Sequence, residues 1–322
     1  METQALFDEE GHISGFKERE HNDAHRLIEE CMLVANTCAA DFVSMKKREA
    51  LYRVHDKPEE DRVKTLNTML ACYDLKLTAV TPAALAELVD KTRDNPVLQT
   101  AILRTMSRAC YTPDNIGHFG LQYDKYTHFT SPIRRYPDLL VHRVIKAILA
   151  DKSFVPKIVI DDAQLLAGRH ARALGSRPEE QKKPRTGVKH AVWSRLGILC
   201  SAAERRADDA SREVMNYLKC QYMLDQPPSK QYEAVVTGMI PAGIFVTLKD
   251  NAIEGFIHIS QLGWGYWEFD EKHLLMKSNE EMEQYRIGDT LKVMLDEVDL
   301  ENRRLSFIVV SHGRRSKQRR RY

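Results

Sequence analysis

At residue 226 the hydrophobic period of this 322-residue chain changes. Before that point apolar residues recur every three or four positions. After the break Gln226-Pro-Pro-Ser-Lys the runs are short, β-branched or aromatic, and bounded by Gly, Asp and Asn. A helical period does not fit a strand, nor a strand period a helix. The expected class is therefore α+β: a mainly helical unit over residues 1–226, a β unit over 229–310 and a tail over 311–322.

In the helical part, residues 22–50 carry Ile28, Cys31, Ala35, Cys38 and Phe42 at helical spacing, with Asn22 or Asp23 as cap, and these five are the expected buried face. Further helices are expected at 57–73, at 81–92 with Thr81 as cap and Pro82 in the first turn, at 95–110, at 138–150 and at 196–225. The helix opened by Pro137 puts Leu140, Val144 and Ile148 on one face. Residues 175–190 are polar and proline-containing and read as a loop. In the β part, runs at 232–240, 243–249, 255–260, 290–299 and 304–310 fit a closed five-stranded barrel of the oligonucleotide-binding (OB) type. Residues 263–288, with Trp264, Tyr266, Trp267 and Phe269, form its long excursion between strands.

Composition narrows the function. With 43% hydrophobic and 29% charged residues the chain is that of an ordinary globular protein. No apolar run reaches the roughly 20 residues of a spanning helix, and no secretory pattern opens the chain, so no membrane association is expected and a cytoplasmic protein is. None of the six cysteines forms a Cys-x-x-Cys pair, and there is no phosphate-binding glycine loop, nucleophile elbow or His-Glu-x-x-His helix. The formal net charge is +2. The last twelve residues hold six of the 48 Lys and Arg, among them Arg314, Arg315 and Arg319, and none of the 46 Asp and Glu, so the rest of the chain is slightly acidic. Such a tail is either a solubilising end or a polyanion contact that releases counterions.

The most informative segment is His118 to Arg143, HFGLQYDKYTHFTSPIRRYPDLLVHR. Ser131-Pro132 imposes an extended or turned backbone and Pro137 starts a helix, so Arg134 and Arg135 stand on a loop leading into a helix N-terminus. Free N–H groups and guanidinium forks there favour an anion, and a phosphate is the natural candidate, with Tyr123, Tyr126, Phe129 and Tyr136 near in sequence for stacking. The alternative from spacing alone is that the arginines pair with carboxylates and the aromatics are core.

This segment resembles the signature of the ribonuclease II/ribonuclease R (RNB) family of 3′ to 5′ exoribonucleases, with the nearest likeness to the ribonuclease R type. The resemblance continues in AHRLIEECMLVAN (24–36), LQTAILRTMSRACY (98–111) and AERRADDASREV (203–214). It implies the carboxy-terminal portion of an RNB catalytic domain followed by an S1-like OB barrel. The implied activity is hydrolysis of single-stranded and structured RNA to nucleoside 5′-monophosphates with Mg2+. By this resemblance Arg134 contacts the scissile phosphate as the catalytic arginine. Glu30 and Glu204 approach the RNA 3′ end, and His118, Tyr126, Ser131, Arg135, His142 and Arg143 are further signature positions, several of them expected to hold the loop through buried hydrogen bonds. In the barrel, Phe245, Phe256, His258 and Arg303 meet single-stranded RNA. Ile244 stands where the family often has a second aromatic, which is expected to remove one stacking surface.

The family's metal-binding aspartates lie upstream of the helix that starts near Asn22, so no metal ligand is assigned here and the chain alone is expected to be inactive and its helical part poorly covered. The competing readings are a non-catalytic RNA-binding module and one subunit of a split enzyme, partnered by a separate chain that carries the metal-binding half. The expected partner is RNA with a single-stranded 3′ end, and the expected state a monomer.

Overall fold

The first residues form a hairpin that periodicity did not predict. In a computed structural model that describes residues 3–18, 20–93, 95–157, 188–263, 265–271, 275–279 and 284–310, strands β1 (Thr3–Phe7) and β2 (Ile13–Glu18) pair antiparallel. The Asp8 carboxylate closes their turn by accepting the N–H groups of Glu10 and His12 at 3.0 and 2.8 Å. Most of the expected loop at 175–190, Trp264, and Arg314, Arg315 and Arg319 lie outside the described residues.

Helix α1 (Asp23–Met45) is capped by Asn22, whose side chain accepts the His25 N–H at 3.1 Å. Its buried face corrects the sequence expectation. Asn36, Ala39, Ala40 and Val43 are buried, Cys31 and Cys38 are exposed, and Ile28 is 59% exposed. Small alanines let the helix approach its neighbours closely, and Asn36 is buried because the loop above it needs its amide.

Strands β3 (Tyr52–Val54) and β4 (Cys110–Thr112) pair antiparallel. Cys110, expected to end a helix, instead opens β4. Between them α2 (Glu60–Ala71), α3 (Pro82–Lys91) and α4 (Pro96–Thr105) enclose Leu66, Leu70, Leu88, Leu98 and Ile102. Thr81 caps α3 through the Ala84 N–H, as expected. Helix α5 (Tyr136–Leu149) carries proline in its first turn and buries Leu140, Val144 and Ile148.

The longest element is α6 (Val188–Leu224), 37 residues and so about 55 Å at 1.5 Å per residue. Trp193 and Leu196 near its start join a core with Val43, Leu51, Tyr111, Leu140, Val144 and Ile148. Cys220 and Met223 near its end join the core of the β part. A single helix therefore enters both units. Its approach to β4 depends on Gly197, where a Cβ would run into the Tyr111 carbonyl oxygen. One turn on, the Ser201 hydroxyl accepts the Tyr111 N–H at 2.9 Å and donates to the Gly197 carbonyl at 2.7 Å.

The β part closes a barrel in the order β11 (Thr290–Asp299), β12 (Arg304–Val309), β7 (Glu254–His258), β6 (Gly243–Leu248), β5 (Gln231–Ile240), and back to β11. All pairings are antiparallel except β12 with β7. All five expected strands form this barrel. Ile244, Val246 and Leu248 point inward, Phe245 outward. Ile244 is fully buried, so it belongs to the core and does not stand at a lost stacking position. The excursion is itself a three-stranded sheet, β8 (Trp267–Asp270), β9 (Leu275–Ser278) and β10 (Gln284–Arg286), whose Trp267 stacks on Tyr285 at 5.1 Å. Among the described residues no helix is long and apolar enough to cross a membrane.

Gly197→Val puts two methyl groups and a Cβ where β4 already lies. It is expected to cost about 1–3 kcal/mol, read as a lower midpoint in urea. The same change at Gly15, with nothing within 4 Å of its Cβ position, serves as the control.

Candidate nucleic-acid interface

The loop from His118 to the start of α5 is held by a small set of buried polar groups. Its middle accepts the Arg53 N–H of β3 at the Tyr126 carbonyl at 2.9 Å and donates the Thr127 hydroxyl to the Leu51 carbonyl at 2.7 Å. Asn36 is the hub from α1. Its oxygen accepts the N–H groups of Phe129 and Thr130 at 2.9 and 3.3 Å, and its amide nitrogen donates to the Tyr126 hydroxyl at 3.0 Å. Asp138, fully buried in the first turn of α5, accepts the Ser131 N–H and the Arg135 guanidinium, both at 2.8 Å. Both arginine N–H groups turn back onto the Ser131 carbonyl. With the N–H groups of Phe129, Thr130, Ser131, Arg134 and Arg135 bound within the loop or to Asn36 and Asp138, Ile133 and Arg134 lie exposed.

Arg134 is exposed, and its guanidinium makes no hydrogen bond or ion pair among the described residues. Beside it sits a group of imidazoles kept neutral. Burial, together with the charges of Arg135, Arg53 and Arg134, lowers the pKa of His128 to about 3. Burial, then His55 and Arg53, lowers that of His118 to about 4. His118 stacks on His55 at 5.1 Å, and His55 is pinned between the Ser107 carbonyl and the Gly120 N–H. Beneath them Arg53 lies over the Tyr111 ring, 4.7 Å from its centroid, and forms an ion pair with Glu204 of α6. Arg53 also borders a cleft of about 270 Å³ with Arg108, Glu204, Arg205, Asp208 and Arg212.

The second surface is on the barrel. Phe245 is 43% exposed and lies 5.1 Å from Phe256 on the adjacent strand, with exposed His258 6.5 Å beyond. Strand alternation turns these rings outward while their neighbours fill the core.

The structure sorts the expected site residues. Arg134 and Arg143 are exposed and unpaired among the described residues, and so is Glu30 on α1. Phe245, Phe256 and His258 come together as expected. Tyr126 is buried, its hydroxyl held by Asn36, so its ring offers no free face. Arg135 and Ser131 are spent on Asp138. His142 stacks under Phe129 at 4.1 Å and bonds its carbonyl, holding the loop from below. Glu204 is committed to Arg53 and to the Tyr111 hydroxyl, and Arg303 to Glu213 of α6 at 3.2 Å. Sequence reasoning missed Asn36, Arg53, Tyr111, His128 and Asp138. Only Asn36, a polar residue within a helical apolar pattern, carried a local signal.

A divalent metal does not fit these residues. His128 lies in the field of three guanidiniums, Glu204 is ion-paired, and among the described residues no three His, Cys, Asp or Glu are grouped to hold an ion.

An arginine loop at a helix start and a five-stranded barrel with an outward aromatic pair define a nucleic-acid-binding class of protein. The RNB domain family matches residues 1–151 and the S1 RNA binding domain family matches residues 227–309. Ribonuclease R of Escherichia coli is 37% identical over 97% of this chain. Among solved structures, Mycoplasma genitalium RNase R superposes with a TM-score of 0.78 in its apo form and 0.76 in complex with ribose methylated single-stranded RNA. Each match is at 24% identity and covers 96% of this chain and 45% of that one. By these matches the chain carries an RNB domain and an S1 RNA binding domain and is similar to ribonuclease R. It spans 36% of the length of the Escherichia coli relative.

Neutral His118 and His128 carry a pH consequence. Their folded pKa values lie below the unfolded value, so the unfolded chain binds more protons between about pH 6.5 and 3. Stability is full above that window and falls as pH drops through it. Melting temperature should fall from pH 7 to pH 5, and the fall should be shallower in a His118→Gln His128→Gln double variant. Equal slopes would contradict the assignment.

Proposed function

We propose that this chain is the carboxy-terminal part of a ribonuclease R-type exoribonuclease that hydrolyses single-stranded and structured RNA from the 3′ end to nucleoside 5′-monophosphates. Its units are residues 1–226, 229–310 and a basic tail 311–322. The observation that carries the reading is Arg134, an exposed guanidinium without a protein partner among the described residues, on a loop whose Ser131 N–H and Arg135 guanidinium are bound by Asp138. Such a group is poised for a phosphoryl oxygen and stabilises charge that builds there as the bond breaks. Arg143 and Glu30 lie free for backbone or ribose contacts. Phe245, Phe256 and His258 stack on bases without regard to sequence, and Arg314, Arg315 and Arg319 add phosphate contacts.

The complete reaction depends on Mg2+ held by carboxylates that are not among the described residues, supplied by a further segment or by a separate chain. We place the protein in the cytoplasm as a monomer. The second reading, an RNA-binding module without catalysis, is favoured by the commitment of Glu204 to Arg53 and Tyr111 and by the lack, among the described residues, of three His, Cys, Asp or Glu grouped to hold a metal.

The chain with magnesium alone should release no nucleoside 5′-monophosphate from a labelled oligoribonucleotide, and release would refute this account. Phe245→Ala should weaken RNA binding by about 1–3 kcal/mol if a base stacks there. Deleting residues 311–322 should lower affinity and flatten its dependence on salt. With the metal-binding half restored by fusion or by a complementing chain, Arg134→Ala should slow single-turnover cleavage by roughly 10²-fold and change binding little. Equal losses in both would make Arg134 a binding residue only.

A further inference from the structure

Among the described residues His118 and His128 each have one ring nitrogen without a hydrogen-bond partner, and that of His128 belongs to the ring on which the charge of Arg134 acts. The His128 Nδ1 lies 2.7 Å from the Tyr111 hydroxyl, and that hydroxyl lies 3.3 Å from Glu204 Oε1. A hydroxyl has a single proton. If it went to His128, oxygen lone pairs of Tyr111 and Glu204 would face each other. The arrangement without that clash sends the Tyr111 proton to Glu204, whose other oxygen is taken by Arg53, and has Nδ1–H donate to the Tyr111 oxygen. Burial raises the pKa of Tyr111, so the hydroxyl proton is retained. The imidazole is then the Nδ1–H tautomer, with an unprotonated Nε2. Among the described residues Nε2 has no hydrogen-bond partner, and it is absent from the buried atoms that lack one, so it keeps contact with solvent.

The surroundings say what that lone pair can take. Arg134, Arg135 and Arg53 all act on His128 through their charges and keep it from protonating, and Arg134 is free to bind a phosphate. A ligand for this place therefore combines an anion with a hydroxyl donor nearby, which in a polynucleotide is a phosphate and the 2′-hydroxyl of an adjoining ribose. We infer that His128 Nε2 accepts a hydrogen bond from a ribose 2′-hydroxyl at the Arg134 loop, making it a residue that distinguishes RNA from DNA. The inference rests on the RNA reading above and goes further, to a specificity residue. A protonated imidazole would donate from both nitrogens and accept at neither, so burial first, and then the charges of the three guanidiniums, keep the acceptor in place.

The test uses the full chain and two probes, a 12-nucleotide oligoribonucleotide and the same sequence with 2′-deoxyribose in its last three positions. The wild-type chain should favour the all-ribose probe by about three- to tenfold, the scale of one neutral hydrogen bond. His128→Asn keeps a polar group where Nδ1 meets Tyr111 but has none at the Nε2 position, and should abolish the preference by weakening only the all-ribose probe. His128→Gln keeps an acceptor near the Nε2 position and should retain part of it, which separates the acceptor from any general loss of structure. In 15N-histidine spectra the His128 Nε2 resonance should be that of an unprotonated nitrogen, and it should move on adding the ribose probe but not the chimera. A protonated Nε2, or a preference unchanged in His128→Asn, overturns the inference while leaving RNA binding intact. Equal wild-type affinity for both probes does the same. If neither probe binds the wild-type chain, the RNA reading falls and this inference with it.

Discussion

The close seating of α6 on β4 is the contact on which the rest of the arrangement depends. Gly197, Ser201 and Glu204 lie at successive helical turns, and all three engage Tyr111: the glycine by giving room, the serine by its hydroxyl, the glutamate through the phenol. That one stripe aligns a 37-residue rod whose far end fills the barrel with Cys220 and Met223. It also brings Glu204 to Arg53, and so sets the charge field around the arginine loop. A shift of α6 by one residue would move a side chain into the Tyr111 carbonyl and remove Glu204 from Arg53 together.

Above that contact the loop is built so that burial selects function. Asp138 and Asn36 satisfy the backbone of residues 129–131 and absorb Arg135, because a buried carboxylate without a cation and hydrogen bonds is costly. The neighbouring Arg134 has no such partner and stays outside. Two adjacent arginines thus take opposite roles, one as an internal strut and one as a surface cation. The same logic separates the aromatics: Tyr126 is enclosed by Asn36, His118 and His128, whereas Phe245 and Phe256 sit on the outer surface of the barrel.

Much of this was legible beforehand. The five barrel strands, the cap at Asn22, the Thr81-Pro82 start and the apolar face of α5 follow from local spacing, since each depends on residues within one or two turns of each other. The buried face of α1 was misread because periodicity ranks residues by hydrophobicity, and this helix buries alanines and an asparagine where close approach and hydrogen bonding matter more. The hairpin of β1 and β2, the strand at 110–112 and the small sheet between β7 and β11 were missed. Their pairing energy comes from partners that a local window does not see, as when Tyr111 pairs with Arg53, distant in the chain.

Sequence by itself determined the class of the protein, the order of its units and the identity of the arginine loop, because a change of hydrophobic period and a fixed run of residues are local properties. Only the tertiary structure decided which members of that run face solvent. Glu204, Tyr126, Arg135 and Arg303 have the right residue types for contact with RNA, yet each is claimed by a protein partner brought from elsewhere in the chain or fixed by the fold of its own loop. Charge and hydrogen-bond capacity are written in the side chain; whether they are already spent is settled by which other groups the fold carries to within about 3 Å.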